Sequence, residues 1–542
     1  MHNPIDRRAF LTALGLGTGA VVVSCADKAT TTDASGSGKR RDAATPDDPT
    51  DAATSTTAAV VETPQSPLTS DPFVLGVASG DPTPTSVILW TRLITELTAP
   101  VDVKWEVAAD RSFSRPVASG IVTAAPEWAH SLHLDATGLD PDTEYWYRFS
   151  SAAFTSAVGR ARTTPKPDAS PKQLRLGFAS CQDYTEGYYA AHRALAADEL
   201  DLVFFLGDYI YEYPSTPTSV RQVSDGILTT LDEYRRRYET YTRDADLRAS
   251  RASCPWVVTW DDHEVENNYA DLADNGDMED AEFATRRAAA YQAYYEHMPM
   301  RLDPPSGPDW RIYRSVRFGD LAEFFVLDGR QYRSDQACNS RLDAIVSRAS
   351  CDGMDADERT MLGPEQERWL ADGLSDSDAR WKVIAQQTVM SSLVLGDLIL
   401  NVDQWDGYPS ARRRLLEFIR DHEIGDVVGL TGDIHSAGAG SLAIETGNGE
   451  RLPVAVEFVG TSITSSSLVD LVPGGAELVT PENFPGIAYL NVKLHGYGRC
   501  TVTPSEWRTE FVVVDDVRNP DAPPRVDATC VTPAGTPSVT RV

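Results

Sequence analysis

The sequence predicts an α/β core domain preceded by a small β-sandwich. From Phe73 to about Thr164, short runs of alternating apolar and polar residues are separated by Gly, Pro and Asp turns, which is typical of antiparallel strands. From about residue 173 to residue 540, apolar strand-like runs alternate with longer helical segments, which is typical of an α/β sheet. A chain of 542 residues with 42% hydrophobic residues is long enough to form both cores.

The N-terminus has the pattern of an export signal. Arg7-Arg8 precedes the short apolar stretch 14–23, and a small residue precedes Cys25. Residues 1–25 therefore resemble a Tat-type lipoprotein signal in which Cys25 carries the lipid. The alternative is a transmembrane anchor, but the apolar run is shorter than the ~20 residues that a bilayer core requires. We predict export through the Tat pathway and lipid anchoring at the cell surface.

The residues that follow the signal are predicted to form a disordered linker. Residues 26–72 are dominated by Ala, Thr, Ser, Asp and Pro and contain almost no aromatic residues. Such a segment cannot bury enough apolar surface to offset the entropy lost on ordering. We therefore expect it to act as a tether between the membrane and the folded domains.

The net charge argues against a nucleic acid as the main partner. The chain has 80 acidic and 49 basic residues, which gives a formal net charge of −31. Nucleic-acid binding depends on Lys and Arg side chains that neutralise phosphates. A phosphate group therefore needs a local cation in order to bind to this chain.

The cysteine content fits an oxidising compartment. Seven cysteines are present, and the first of them is the predicted lipid site Cys25. Cys181 and Cys254 are expected to be free thiols. Two pairs are candidate disulfides, although spacing alone does not fix the connectivity: Cys338 with Cys351, and Cys500 with Cys530.

The first folded region, 73–164, has the features of an immunoglobulin- or fibronectin-like sandwich. Ser86–Thr91 and Val101–Val107 alternate apolar and polar residues. The stretch Leu139–Tyr147 resembles the turn and strand that carry a tyrosine corner in such sandwiches. No catalytic residue types cluster here, so we expect this domain to pack against the core domain.

In the core domain, polar groups follow six predicted strands. In open α/β sheets, ligands bind at the carboxyl ends of the strands, so these groups are expected to converge on one site. Each cluster alone is also compatible with a helix cap or a turn. All six together favour one metal centre. The groups are Ser180-Cys181 after 174–178, Gly207-Asp208 and Tyr211 after 202–206, Asp261–Glu264 and Asn267-Asn268 after 255–260, Asp328, Arg330 and Arg333 after 324–327, Gln386-Gln387 after 381–385, and Asp433 and His435 after 426–430.

These motifs resemble a known enzyme family. Gly207-Asp208, Asp262–Glu264 and Gly432–His435 are similar to the GD, GNHE and GHxH blocks of calcineurin-like metallophosphoesterases. With Cys181, Tyr211 and the stretches WDDHEVENNYA and LDGRQYR, the chain resembles the PhoD-type alkaline phosphatases over residues 73–540. The resemblance implies a core of two β-sheets flanked by helices, an N-terminal sandwich, and hydrolysis of phosphate monoesters, with phosphodiesters as further substrates. It implies a role in phosphate acquisition from small extracellular esters.

The resemblance also implies a metal centre with Fe³⁺. Its ligands are expected to be Cys181, Asp208, Tyr211 and His435. A tyrosine with an ordinary pKa near ~10 binds only a strongly Lewis-acidic ion, and a phenolate with a thiolate favours ferric iron over zinc. Cys181 is also compatible with a buried structural thiol. Of the two nearby tyrosines, Tyr209 is expected to pack in the core and Tyr211 to bind the metal.

The second ion implied by the resemblance is Ca²⁺. Asp433 stands where related enzymes have a histidine, and oxygen donors favour a hard cation. Asp208 is expected to bridge the two ions, with Asp433, Asp262 and Asn268 completing the calcium shell. Asn267 is an alternative to Asn268, and Gln386 or Gln387 supplies an amide in the remaining region of the site.

The catalytic assignments follow from the same comparison. His263 is the expected general acid or phosphate hydrogen-bond donor, oriented by Asp262 or Glu264. Arg330 is expected to hold phosphate oxygens in the bidentate way that a guanidinium allows, as is Arg333. The alternative for both arginines is a salt bridge to Asp328.

Two other functions remain open from the sequence. One is a phosphodiesterase or phospholipase D-like hydrolase on the same scaffold, because the fold does not fix the substrate. The other is a surface lipoprotein that binds a partner and has a structural metal site. Structural sites are closed by protein ligands, whereas the additional polar groups His263, Arg330 and Gln387 favour an open, catalytic site.

Overall fold

The computed structural model describes residues 61–274, 278–339, 345–447, 449–467 and 479–542. The predicted signal 1–25 and residues 26–60 of the predicted linker 26–72 lie outside the described residues. The prediction of a disordered linker is wrong for residues 61–72, because the carbonyl oxygen of Pro64 accepts the backbone N–H of Ala152 at 2.9 Å and Leu68 packs against the sandwich core. Within those ranges, every helix is too short or too polar to span a lipid bilayer.

The described residues form strands and helices in the following order. The strands are β1 Val77–Gly80, β2 Ser86–Arg92, β3 Val101–Ala108, β4 Pro116–Ala124, β5 Ser131–Thr137, β6 Glu144–Ser151, β7 Phe154–Thr155, β8 Gly159–Arg162, β9 Leu174–Ala179, β10 Leu202–Leu206, β11 Pro255–Thr259, β12 Arg314–Phe318, β13 Ala322–Val326, β14 Val346–Ser347, β15 Trp381–Gln386, β16 Val394–Leu395, β17 Leu398–Ile399, β18 Val427–Thr431, β19 Ala437–Glu445, β20 Arg451–Val459, β21 Ile487–Asn491, β22 His495–Val502, β23 Glu506–Val514, β24 Pro524–Pro533 and β25 Thr540–Arg541. The α-helices are α1 Ala190–Ala197, α2 Leu231–Thr242, α3 Ala245–Ser253, α4 Asp280–His297, α5 Gly363–Asp376 and α6 Pro409–Asp421.

Two large sheets form the core domain. One has ten strands in the order β25-β24-β23-β22-β9-β10-β11-β1-β2-β5, and the other has seven in the order β12-β13-β15-β18-β20-β19-β21. Strands β9, β10 and β11 are parallel, as are β13, β15, β18 and β20. Parallel strands are buried on both faces, which explains why their sequences are near-continuous apolar runs.

The two sheets pack face to face, and the helices cover their outer faces. Phe204 of β10 and Phe324 of β13 meet between the sheets, with ring centroids 4.5 Å apart. The next residue of β10, Phe205, points to the other side, where it packs in a core with residues of α1 to α4. Helices α5 and α6 cover the outer face of the second sheet. The apolar run 204–206 is therefore fully buried because it serves two cores at once.

The N-terminal sandwich is continuous with this core. Its outer sheet contains β4, β3, β6 and β7, with β8 paired to β6. Its other sheet is formed by β1, β2 and β5, and β1 pairs in parallel with β11 at Ser79–Pro255 and Gly80–Trp256. The tyrosine corner is present, since the Tyr145 hydroxyl accepts a hydrogen bond from the backbone N–H of Asp140 at 2.8 Å. The predicted architecture is confirmed.

The cysteine predictions have mixed outcomes. Cys338 and Cys351 form a disulfide, as predicted. The predicted Cys500–Cys530 bridge is wrong, because both are buried free thiols. They lie on β22 and β24, where both pair with Thr509 of the intervening β23. Two strand spacings of about 4.8 Å each exceed the Cα separation that a disulfide spans.

Candidate metal centre

Four predicted ligands come together where β9, β10 and β18 end. A ligand atom of each of Cys181, Asp208 and His435 lies within 4.8 Å of the other two. The hydroxyl of Tyr211 lies 3.0 Å from Oδ2 of Asp208 and 3.2 Å from Nε2 of His435. Thiol, carboxylate, phenol and imidazole therefore surround one point, although they are up to 254 residues apart in the chain (435 minus 181).

Acidic groups form the second half of the cluster. Asp208, Asp261, Asp262 and Asp433 each place a carboxylate oxygen within 4.8 Å of the others, and Asp208, Asp262 and His263 form a further group. Asp208 belongs to every one of these groups, which is the arrangement expected of a bridging ligand. Asp261 was placed from the sequence in the polar cluster after residues 255–260 but was assigned no role of its own. Its position directly before Asp262 was the available signal.

The backbone is strained at most of these residues. Left-handed φ angles are uncommon outside glycine, and they concentrate at functional sites where surrounding structure enforces them. Asp, Asn and His adopt this conformation more often than other non-glycine residues, and Cys is not among the favoured types. Five of the seven predicted metal ligands adopt it: Cys181 (58°), Asp208 (55°), Asn268 (57°), Asp433 (63°) and His435 (52°).

Two glycines allow the strand ends to approach closely. Gly207 has φ of 100°, and a Cβ there would lie 2.6 Å from the backbone nitrogen of Asp261. A Cβ on Gly432 would lie 2.6 Å from Oγ of Ser180. These glycines precede Asp208 and Asp433, so the close contact of the loops requires the glycine of each Gly-Asp motif.

Without a cation, the surroundings of Cys181, Asp208 and Tyr211 disfavour their charged forms. Burial raises the pKa of the Asp208 carboxyl well above its ordinary value. The charge of His263 lowers this pKa, whereas the charges of Asp262 and Glu264 raise it further. Burial also raises the pKa of the Cys181 thiol and the Tyr211 phenol, and Asp208 raises both further. A bound ion of high charge reverses this situation, because it stabilises thiolate, phenolate and carboxylate together.

His435 is already in the state that a metal ligand needs. Burial lowers its pKa to about 4, so the ring is neutral near pH 7. Nδ1 lies 2.9 Å from the carbonyl oxygen of Ser466 and donates a proton to it. The Nε2 lone pair then faces Tyr211. A metal-binding histidine usually donates its other ring N–H to a carbonyl or carboxylate oxygen in this way.

Orphaned oxygens show that the cluster fits a cation. Among the described residues, Oδ1 of Asp208 and Oδ2 of Asp261 are buried and lack a hydrogen-bond partner. Buried carboxylate oxygens are normally paired, and an unpaired one is costly. The donor set of sulfur, phenol, imidazole and several carboxylates fits an ion better than it fits a hydrogen-bond network.

Glu212 positions His263, in place of the expected Asp262 or Glu264. Oε2 of Glu212 lies 2.7 Å from Nδ1 of His263. Burial alone lowers the pKa of His263, but Glu212, Asp262 and Asp208 outweigh it, and the pKa is raised well above the ordinary value. Glu264 instead accepts backbone N–H groups of Asp208, Tyr209 and Asp261.

Arg330 is buried among carboxylates. Its guanidinium contacts Asp261, lies 2.7 Å from Asp403 and 3.1 Å from Asp433, and reaches Asp262 at 3.5 Å. Its side chain is 0% exposed, so its hydrogen-bonding groups are committed to the protein. It therefore balances acidic charge behind the site. The role of Asp403 was not visible in the sequence.

Arg333 and Asp328 also belong to the scaffold. Arg333 pairs with Asp403 at 2.6 Å and donates to the carbonyl oxygen of Asn268. The expected alternative partner, Asp328, accepts from Trp260, from Gln331 and from the backbone N–H of Arg330. It thereby fixes the loop that carries the arginines.

The amides occupy positions that the sequence did not resolve. Asn268 lines the cavity beside the cluster, and its backbone N–H donates to Asp262 at 2.5 Å. Gln387 bonds to Thr259, Trp260 and Leu327 in the scaffold, and Gln386 bonds to Trp405. The amide that contacts Asp433 belongs to Gln404, which was not predicted.

The segment 460–467 packs against Cys181 and Tyr211. Oγ of Ser465 lies 2.6 Å from the Tyr211 hydroxyl and 2.8 Å from the carbonyl oxygen of Cys181. Thr464 donates to the carbonyl oxygen of Asp183. Tyr209, by contrast, packs in the core on the helix side of the first sheet. Buried Arg237 donates to the carbonyl oxygens of Tyr211 and Tyr213 and so fixes that loop.

Comparison with protein families identifies the family of the chain. Residues 176–511 match the profile of the family described as "PhoD-like phosphatase", and residues 56–165 match "PhoD-like phosphatase, N-terminal domain". The chain belongs to the PhoD-like phosphatase family. It is 45% identical over 472 residues to alkaline phosphatase D of Bacillus subtilis (strain 168), covering 84% of this chain and 80% of the relative.

A solved structure supports the same assignment. The fold is similar to a structure of PhoD with a TM-score of 0.82 and 42% sequence identity, covering 88% of this chain and 93% of the other. The predicted family, the predicted fold and the prediction of a phosphatase are thereby confirmed. In this PhoD-like phosphatase, the acidic and histidine clusters are the groups able to bind metal.

Replacement of Arg330 tests its role as a buried counter-charge. We expect Arg330→Met to lower the unfolding free energy of metal-free protein by about 3–5 kcal/mol, because it leaves buried carboxylates uncompensated. Urea unfolding in the presence of a chelator measures this. Arg499→Met is the matched control, since it removes partly exposed pairs with Asp198 and Glu510 and should cost about 1 kcal/mol or less. Equal effects of the two substitutions would contradict the assignment.

Proposed function

We propose that this PhoD-like phosphatase hydrolyses phosphate monoesters, and phosphodiesters to a smaller extent, at a centre that holds Fe³⁺ and Ca²⁺. One observation carries the proposal: Cys181, Asp208, Tyr211 and His435 converge on one point beside a group of four carboxylates. The alkaline phosphatase named among its relatives is 45% identical, which supports the monoester reaction for this chain.

The chemistry of the first group supports iron. Tyr211 and Cys181 are buried, and their neighbours are acidic, so both deprotonate only beside a strongly Lewis-acidic ion. Asp208 and the neutral His435 complete the set. A ferric ion satisfies phenolate and thiolate at once, which zinc does less well.

The chemistry of the second group supports calcium. Asp208, Asp262 and Asp433 offer only oxygen, and Asn268 lies against them in the same cavity. Hard cations with several oxygen ligands fit such a set. Asp208 has one oxygen near Tyr211 and one that is unpaired, so it is suited to serve both ions.

The residues of the chain then bind the substrate and supply the proton. When bound, two such ions neutralise phosphate charge and lower the pKa of water. His263 is charged and is oriented through Nδ1 by Glu212, so its Nε2 is able to donate to a phosphate oxygen or to the leaving alcohol. Arg330 keeps the carboxylates in place from behind and acts as a positioning residue. The nucleophile is water, so no serine or histidine phosphoenzyme is required.

The cellular setting is part of the proposal. Residues 1–25 would direct export through the Tat pathway, Cys25 would carry the lipid, and residues 26–60 would tether the sandwich 73–164 and the phosphatase domain 173–540. The cell-surface position would give the site access to small extracellular phosphate esters. The Cys338–Cys351 disulfide supports an oxidising compartment.

Colour and metal content test the iron assignment. We expect the purified protein to contain iron and calcium and to absorb visible light through a phenolate bound to ferric iron. Tyr211→Phe should abolish that absorption, because the phenolate is lost. Tyr209→Phe is the matched control, since Tyr209 is buried but its hydroxyl contacts only Thr242 at 3.3 Å. Zinc without iron in elemental analysis would overturn the assignment.

Substrate assays test the reaction and the His263 dyad together. We expect hydrolysis of p-nitrophenyl phosphate in the presence of calcium and slower hydrolysis of bis-p-nitrophenyl phosphate. Glu212→Gln should lower kcat about 10- to 100-fold with little change in KM, because the loss of a carboxylate that orients an active-site histidine has effects of this size. Glu510→Gln, on β23, is the control. Activity on the diester alone would favour a phosphodiesterase, and activity on neither would favour a binding protein.

Fractionation of cells tests the location. We expect the full chain in the membrane fraction of its producing cells and the Cys25→Ala protein in the soluble exported fraction, because the lipid attachment site is lost. Replacement of Arg7-Arg8 by lysines should retain the precursor in the cytoplasm. Immunoblots of the fractions measure both effects. Membrane retention of the Cys25→Ala protein would contradict the lipid assignment.

A further inference from the structure

A cavity of about 310 Å³ opens beside the metal-binding residues. One end is polar and includes Asp208, Asp262, His263 and Asp433, whereas the other end is built from aliphatic side chains. Small-molecule sites of proteins have volumes of about 300–1,000 Å³ and combine apolar walls with a few polar groups. The aliphatic residues include Val389, Leu393, Leu400, Val459, Leu490 and Val492.

The apolar end lies on one face of the seven-stranded sheet. Gly438 of β19 is in register with Val459 of β20 and with Leu490 of β21, so these three residues share that face. Leu400, which follows β17, lines the same cavity. Leu393, Leu400 and Leu490 are only partly buried, so they leave apolar surface for another group to cover.

Gly438 keeps this cavity open. A Cβ added to Gly438 would meet no atom closer than 3.6 Å, and its nearest neighbours would be the Tyr489 carbonyl oxygen, Leu490 and Val459. A larger side chain therefore fits sterically at its base but fills the space between the walls. The absence of a side chain at this position is what gives the apolar end its depth.

Two polar residues of the cavity wall, Glu457 and Asn401, already bind other groups of the protein. Glu457 accepts hydrogen bonds from the backbone N–H groups of Met390 and Ser391 and from the Thr431 hydroxyl. Oδ1 of Asn401 accepts the backbone N–H of Asp403. The Ser391 hydroxyl is a further polar group of the wall and lacks a hydrogen-bond partner among the described residues. A hydrophilic substituent would therefore find few groups in this cavity to replace its bonds to water.

We propose that the cavity binds an apolar substituent of the phosphate ester, such as a short alkyl chain or a single aromatic ring, while the phosphate lies at the polar end. This inference rests on the proposed phosphatase function and adds the substrate class. The inference rests on the continuity of the aliphatic walls with the metal-binding residues, because one ester is then able to contact both ends of the cavity. Substrates with an apolar substituent are selected over small hydrophilic ones.

A series of alkyl phosphates tests the inference. We expect kcat/KM to rise from methyl through butyl to hexyl phosphate by about fourfold per methylene, which corresponds to ~0.8 kcal/mol of burial. The rise should end when the chain fills the cavity. Phenyl phosphate should be hydrolysed in preference to methyl phosphate. Equal kcat/KM for methyl and hexyl phosphate, in an enzyme active on both, would overturn the inference and leave the phosphatase proposal intact.

Matched variants locate the effect in the cavity. Gly438→Leu should remove the dependence on chain length, because the new side chain occupies the apolar end. Leu400→Asn should lower kcat/KM for hexyl phosphate about tenfold by placing an amide in the wall. The controls are Gly425→Leu, where nothing lies within 4 Å of an added Cβ, and Leu395→Asn on β16 of the same hairpin. Chain-length dependence that survives in Gly438→Leu and Leu400→Asn would contradict the assignment.

A binding measurement separates this inference from the catalytic proposal. Calorimetry with methylphosphonate and hexylphosphonate, which are not hydrolysed, should give tighter binding of the hexyl compound to wild-type protein and equal binding to the Gly438→Leu protein. If the metal-loaded protein hydrolyses no ester but retains this preference, the phosphatase proposal fails and the cavity assignment stands. Equal affinities in the wild-type protein would reject the cavity assignment.

Discussion

The concentration of buried carboxylates around Asp208 is the constraint on which the rest of this structure depends. Asp208, Asp261, Asp262 and Asp433 crowd into one region. Burial and neighbouring acidic groups raise the pKa of Asp208, Asp261 and Asp433, whereas Arg330 and His263 lower the pKa of Asp262. Positive charge must therefore be brought to them. The described chain supplies it from Arg330 and His263, and the orphaned oxygen atoms of Asp208 and Asp261 leave room for cations.

The two-sheet architecture brings these charges together. Strands β9, β10, β11 and β18 end at the same side of the core, and their following residues turn inward in left-handed conformations. Such strain persists only where packing enforces it. The glycines before Asp208 and Asp433 remove the steric barrier, and Glu264 binds three backbone N–H groups at the meeting point. The packing of the sheets thus compensates for the unfavourable backbone conformations at the site.

The convergence of these residues was predictable because the end of a strand can be recognised in an apolar pattern. Asp208, Asp262, Asp433 and His435 each follow a buried run, so their proximity followed from the topology of parallel sheets. Side-chain direction was not readable in the same way. Glu212 orients His263 although Asp262 and Glu264 are adjacent to it, and Gln387 faces the scaffold. Strand order was also hidden, which explains the wrong Cys500–Cys530 pairing.

The pairing of β1 with β11 has a consequence for the biosynthesis of the protein. Val77–Gly80 leaves the ribosome long before its partner strand Pro255–Thr259, and β22, which pairs with β9, comes near the end of translation. Non-local pairing of this kind makes folding slow. The ten-stranded sheet can therefore close only after β22 to β25 have been translated, so its assembly is a late step in the biosynthesis of the protein.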